Sequence, residues 1–61
     1  MNYIDELYLR INQAYEALES AGDLKAADSV EAAAADAGND VTKLMAAADY
    51  AAWHLDQLQA K

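Results

Sequence analysis

Few side chains in this sequence could do chemistry, and its one histidine is the first to consider. His54 is the single histidine, and the chain has no cysteine. A lone histidine without a second histidine or a Glu-x-x-His partner does not supply the ligands of a di-metal site in a helical bundle. As a general base it would also need a nucleophile or a water molecule held in a cleft. We therefore interpret His54 as a residue on the surface or flank of a helix.

The sequence carries no other motif for catalysis or cofactor binding. Its two glycines, Gly22 and Gly38, stand alone and form no glycine-rich loop for phosphate. It has no Asp-x-Asp-x-Asp-Gly run of the kind that binds calcium. A bundle this small also leaves little room for a pocket of roughly several hundred cubic ångströms. We predict a protein that is not an enzyme and holds no cofactor or metal.

Acidic side chains dominate the charge of the chain. Eleven Asp and Glu residues against four Lys and Arg residues give a net charge of −7. Repulsion from phosphate disfavours direct binding to nucleic acid, and for the same reason it disfavours an anionic membrane surface. A basic surface on another protein would instead attract this chain from a distance. The alternative is that the acidity only keeps an alanine-rich protein in solution.

Three helices are predicted to position these side chains. The 61-residue chain contains no proline and is rich in alanine and other strong helix formers. Each glycine is followed by an N-cap candidate, Asp23 after the first and Asn39 or Asp40 after the second. We predict a single all-α domain over residues 1–61, with helices at 2–21, 23–37 and 40–60. Because the connections are short, neighbouring helices should be antiparallel, which gives a compact up-down-up three-helix bundle.

Each predicted helix has an apolar stripe that should face the core. The alanines of the second helix bury little area each, so that helix should be the least stable by itself. The stripe residues are Ile4, Leu7, Tyr8, Ile11, Ala14, Tyr15 and Leu18 in the first helix, Leu24, Ala27, Val30, Ala34 and Ala37 in the second, and Val41, Leu44, Ala48, Ala51, Leu55 and Leu58 in the third.

The third helix carries a second stripe on the side opposite the first. Ala46, Tyr50, Trp53 and Gln57 follow the spacing i, i+4, i+7 and i+11. A helix that is apolar around most of its circumference is normally buried on more than one side. In a three-helix bundle one side of every helix faces outward, so this stripe is either an exposed patch or is covered by another chain. The alternative is a tilted third helix that buries the stripe between the other two.

Carboxylates border the second stripe. Asp49 and Asp56 lie two turns apart and flank Trp53, an arrangement that suits a basic, partly apolar groove on another protein. The competing interpretation is that the two carboxylates only solubilise a helix whose aromatic residue packs internally. The predicted partner-binding residues are Asp49, Tyr50, Trp53, Asp56 and Gln57 on the third helix and Asp5, Leu9 and Glu16 on the outer side of the first.

These features predict a module that binds protein, by one of two routes. The first is a cytoplasmic inhibitor or adaptor that docks on a larger protein with a basic surface, where carboxylates imitate the phosphates of a nucleic acid. In size and charge alone it is comparable with small phage-encoded anti-CRISPR and anti-restriction proteins, and no motif supports a closer relation. The second is a self-associating structural or regulatory module, a homodimer that pairs the Tyr50–Trp53 stripe with its symmetry mate. No secretory or membrane-spanning segment is recognisable.

Overall fold

Three α-helices form the described part of the chain. A computed structural model describes residues 2–60 and contains α1 (Tyr3–Ser20), α2 (Leu24–Ala37) and α3 (Val41–Ala60). Every helix packs against both others, and the short connections make successive helices antiparallel. The predicted all-α three-helix bundle is therefore confirmed. The predicted domain, 1–61, has one residue at each end that lies outside the described range.

The helices begin one residue later than predicted, because the residues expected to open them are N-caps. Side-chain oxygens of Asn2, Asp23 and Asp40 each accept a hydrogen bond from the backbone N–H three residues further on, at 2.9, 3.3 and 3.3 Å. An N-cap residue lies outside the helix while satisfying one of its free N–H groups. Of the two cap candidates for α3, it is Asp40 rather than Asn39 that makes this bond.

Both glycines end a helix with a positive φ angle. Gly22 has φ 84°, the N–H of Asp23 donates to the carbonyl of Leu18 at 2.9 Å, and the N–H of Gly22 donates to that of Glu19 at 3.0 Å. This pair of bonds is the Schellman motif, and it ends α1 one residue earlier than predicted. Gly38 ends α2 with φ 56°. L-amino acids rarely adopt these conformations, so the chain turns at the glycines as predicted.

A tyrosine joins the first helix to the second connection. The hydroxyl of Tyr8 donates a hydrogen bond to the carbonyl of Gly38, thirty residues further along the chain. This bond fixes the first half of α1 beside the point where α2 ends and α3 begins. It therefore links α1 to the second connection of the bundle.

The core contains aliphatic side chains and alanines from all three helices, and its largest fully buried members are Ile11, Leu18, Val30 and Leu44. Two residues that were predicted to join the core stripes, Leu24 and Val41, are exposed instead. Each is the first residue of its helix, where the Cα–Cβ bond tilts toward the helix N-terminus. Their side chains therefore project past the end of the bundle, and the prediction for these two positions was wrong.

Candidate functional site

The predicted residues on α3 form an exposed surface, which we call the α3 face and define as Asp49, Tyr50, Trp53, Asp56 and Gln57. The side chain of Trp53 is 55% exposed and that of Tyr50 is 40% exposed, whereas Leu44, on the opposite side of the helix, is fully buried. Four of the seven large apolar side chains exposed within residues 2–60 belong to α3. The alternative of a tilted α3 that buries its second stripe within the chain is therefore wrong.

An aromatic cluster forms one half of the α3 face. The imidazole of His54 meets the ring of Tyr50 at a centroid distance of 4.6 Å and an interplanar angle of 86°, and it meets the indole of Trp53 at 5.0 Å and 80°. Such edge-to-face contacts are a favoured geometry for aromatic pairs. His54 is half-buried, so its predicted place on the flank of a helix is confirmed. Its role in holding the two aromatic rings was missed, although the i, i+4 spacing from Tyr50 was a signal for it.

The aromatic half of the face adjoins α2. Tyr50 and His54 line an open cleft of about 310 Å³ together with Lys25 and Ser29 of α2. The Nε2 atom of His54 is buried and has no hydrogen-bond partner among residues 2–60. No hydrogen bond therefore joins this nitrogen to the Ser29 hydroxyl.

Carboxylates form the other half of the face, toward α1. Asp49 lines a groove of about 250 Å³ between α1 and α3 with Arg10 and Gln13 of α1. At roughly 100° per residue, Asp56 lies on the same side of α3 as Asp49, two turns further along. Both carboxylates therefore lie on the side of Trp53 that is away from Tyr50. The α3 face is thus divided lengthwise into an aromatic half and an acidic half.

The remaining predicted residues form a second surface, the α1 face, defined as Asp5, Leu9 and Glu16. All three are exposed, and Leu9 is 46% exposed. Because α1 and α3 occupy different corners of the bundle, their outward sides point in different directions. The eight predicted residues are therefore divided between two faces and do not form one continuous site. The α1 face has a single large apolar side chain, whereas the α3 face has two aromatic ones.

A separate polar site lies between α1 and α2. The hydroxyl of Tyr15 donates to Oε2 of Glu19 at 3.0 Å and lines a cleft of about 210 Å³ with Tyr8, Asn12 and Glu31. The hydrogen bond to Glu19, the charge of Glu19, partial burial and the charge of Glu31 raise the pKa of Tyr15 to about 12. The sequence predicted only that Tyr15 belongs to the core stripe. Its half-buried position satisfies that prediction while its hydroxyl reaches the carboxylates.

Residues 2–60 contain no group of three or more Asp, Glu, His or Cys side chains placed to hold a metal ion. Over the same range, every helix is too short or too polar to cross a bilayer. Comparisons with models of protein families, with curated proteins and with solved structures found no match.

Proposed function

We propose that this chain is a small inhibitor or adaptor that docks through the α3 face on a basic surface of a larger protein. The exposure of Trp53 is the observation that carries the proposal, because the only tryptophan of the chain lies outside its core. Single exposed apolar residues are common, but a cluster of them bordered by polar groups is typical of interaction sites. Tryptophan and tyrosine are also enriched among the residues that dominate binding energy at protein interfaces.

The net charge supports a basic partner. A chain of charge −7 is attracted to a surface rich in lysine and arginine, and this attraction speeds encounter at low ionic strength. Asp49 and Asp56 place part of that charge beside Trp53 on the acidic half of the α3 face. An aromatic anchor next to carboxylates would therefore meet the partner with both apolar and charged contacts.

We extend the proposal to the kind of partner, which would be a protein that handles nucleic acid. A protein that handles nucleic acid presents lysine and arginine side chains to phosphate, and carboxylates can occupy the same positions. Competition for that surface would make the chain an inhibitor of nucleic-acid binding. The support for this extension is the acidity and small size of the chain.

The test compares two pairs of substitutions that change the charge equally on different helices. The chain is used to capture its partner from cells that carry the gene, and the affinity for the purified partner is then measured. We expect Asp49→Asn/Asp56→Asn to weaken binding by about tenfold or more and Asp5→Asn/Glu16→Gln by less than about threefold. Raising salt from about 50 to about 200 mM should also weaken the wild-type complex by about tenfold.

Three results would contradict the proposal. An affinity that is the same at both salt concentrations would exclude charge-driven docking. Loss of binding only in the Asp5→Asn/Glu16→Gln variant would assign the site to the α1 face. Equal losses in both variants would show that net charge acts without a defined face.

The competing hypothesis is a homodimer through the α3 face. It predicts a melting temperature that rises with protein concentration and a mass of twice the monomer in sedimentation equilibrium. Two chains that each carry −7 repel one another, so the charge favours a basic partner over a second copy. A monomer at high micromolar concentration would exclude the dimer.

A further inference from the structure

We propose that the residue of the partner seated on the α3 face is an arginine, whose guanidinium stacks on the indole of Trp53 and bonds to the carboxylate of Asp56. This inference rests on the proposed function and names the chemistry of the group that the face receives. Three features of the face lead to it: an uncovered indole surface, carboxylates within one turn of that indole, and the absence of an arginine from the face itself.

The contact with His54 leaves a surface of the indole free. In an edge-to-face pair, one ring offers its edge and the other offers one of its two faces. Since the rings of Trp53 and His54 meet at 80° with centroids 5.0 Å apart, at least one face of the indole is not covered by the imidazole. Trp53 as a whole is 55% exposed to solvent. Indole is the aromatic ring that attracts a cation most strongly.

The carboxylates lie within reach of a cation placed there. Asp49 and Asp56 are four residues before and three residues after Trp53, and such pairs are neighbours on a helix surface. Asp49 lines a groove with Arg10, so a cation of the chain itself lies on its side of the face. We therefore assign the main contact with the incoming guanidinium to Asp56 and a weaker one to Asp49.

Arginine fits this arrangement better than lysine does. Its guanidinium is planar, stacks on an aromatic face and at the same time donates two parallel hydrogen bonds to a carboxylate. The lysine ammonium is a compact, strongly hydrated point charge that gains less from an aromatic surface. An indole beside a carboxylate therefore discriminates between the two cations, whereas a carboxylate alone would attract both.

A second copy that pairs symmetrically through its own α3 face does not supply this group. Arg10 is its only arginine, and it lies in the groove between α1 and α3 rather than on the outer side of α3. Pairing two α3 faces would also bring the carboxylates of both chains together. The occupant that the face favours is thus an arginine-bearing segment of a different protein.

The test uses two synthetic alanine-based peptides without tryptophan, both capped at their ends. One carries four arginines, and the other carries lysines at the same positions. Each peptide bears a dye, and its binding to the full chain is followed by fluorescence anisotropy at about 50 mM salt. We expect the arginine peptide to bind at least about fivefold more tightly than the lysine peptide. The NMR signal of the single indole N–H should also shift when the arginine peptide binds.

Substitutions then locate the preference. Trp53→Leu should lower the affinity for the arginine peptide to that for the lysine peptide, and Asp56→Asn should reduce the preference more than Asp49→Asn does. Asp28→Asn, an equal change of charge at an exposed position of α2, should leave the preference unchanged. Since Trp53 and Asp56 are both exposed, circular dichroism should show wild-type helix content in these variants.

Equal affinities for the two peptides, or a preference that survives Trp53→Leu, would overturn the arginine assignment. Failure of both peptides to bind would overturn it as well. None of these results removes the proposed docking face, which is tested separately with the captured partner, by its salt dependence and by the comparison of Asp49→Asn/Asp56→Asn with Asp5→Asn/Glu16→Gln. The two failures are therefore distinguishable.

Discussion

The inner and outer sides of α3 carry different apolar side chains, and the tyrosine and the tryptophan both face outward. The inner side buries Leu44, Ala47 and Ala51 and packs the half-buried Leu58 against the core, whereas the outer side exposes Met45, Tyr50 and Trp53. Small inner residues let the helices approach closely, but each buries little apolar area. A helix selected only for folding would place its largest apolar groups in the core. The difference supports the proposal that α3 uses one side for folding and the other for a partner.

The first helix shows the usual distribution. Leu7, Ile11 and Leu18 are buried on its inner side, and only Tyr3 and Leu9 are exposed among its large apolar residues. A single outward leucine is common on soluble proteins. The contrast with α3 is therefore one of clustering: α1 exposes isolated apolar groups, and α3 exposes neighbouring aromatic ones.

Truncation on the two sides of α3 should lower stability by very different amounts, and this is the largest expected effect. Leu44→Ala leaves a cavity in the core and should lower the free energy of unfolding by about 2–5 kcal/mol. Trp53→Ala removes an exposed ring and its contact with His54 and should cost less than about 1 kcal/mol. Urea unfolding followed by far-ultraviolet circular dichroism measures both. Equal losses would show that Trp53 belongs to the folding side.

Affinity for the partner should depend on the α3 face far more than on the α1 face. Trp53→Ala should weaken binding by about 30-fold, or about 2 kcal/mol, as expected for a central aromatic residue of an interface. Leu9→Ala should change the affinity by less than about threefold, because Leu9 stands alone on the α1 face. Titration calorimetry with the captured partner provides the values. A larger loss for Leu9→Ala would reverse the assignment of the two faces.

Replacing each of two adjacent alanines by leucine should show where the buried side of α3 ends, because only one of the two replacements should lower stability. Ala51 is buried and Ala52 is exposed. Ala51→Leu must force helices apart and should cost about 1–3 kcal/mol, whereas Ala52→Leu should change stability by no more than about 0.5 kcal/mol. Thermal unfolding of the two variants is a sufficient comparison. If Ala51→Leu were tolerated as well as Ala52→Leu, the core would not be closely packed along α3.

The smallest expected effect concerns the inner edge of α1 at high pH. The pKa of Tyr15 is raised from 10.0 to about 12, so folding favours the neutral phenol. Its contribution to stability is complete below pH 10 and is lost as the pH rises through about 12. Stability should therefore fall more steeply above pH 10 in the wild type than in Tyr15→Phe, which cannot ionise.

A spectrophotometric titration of the phenols supplies the control for Tyr15. Glu19→Gln removes the charge beside the hydroxyl and should move the pKa of Tyr15 back toward its ordinary value. Identical stability profiles for the wild type and Tyr15→Phe above pH 10 would show that this hydrogen bond does not contribute to folding.

Most of the fold follows from local features of the sequence. Gly22 and Gly38 marked the turns, Asp23 marked a cap, and the stripe of α1 is buried or half-buried along its whole length. The errors occur at Leu24 and Val41, where periodicity assigns a side but does not show where the neighbouring helices end. Packing at a helix end depends on all three helices together, so the spacing of residues within one helix cannot predict it.

The candidate site was less predictable than the fold. Helical spacing placed Trp53 opposite Leu44, but whether the outer stripe was exposed depended on the tilt of α3. The contact of His54 with both aromatic rings depends on side-chain rotamers, and the bond from Tyr15 to Glu19 depends on the position of one hydroxyl. What the α3 face binds is a property of two molecules, so that part stays a prediction.

Site-specific photo-crosslinking tests the central claim most directly. A photoactivatable phenylalanine analogue is introduced in one of two positions. It replaces either Gln57, which is next to Trp53 on the α3 face, or Asn12, which is beside Leu9 on α1. Cells that produce each variant are then irradiated. From position 57 we predict one adduct with a larger protein, crosslinked at a segment rich in arginine and lost at high salt. An adduct only from position 12, or one of twice the mass of the chain itself, would contradict docking through the α3 face on a basic partner.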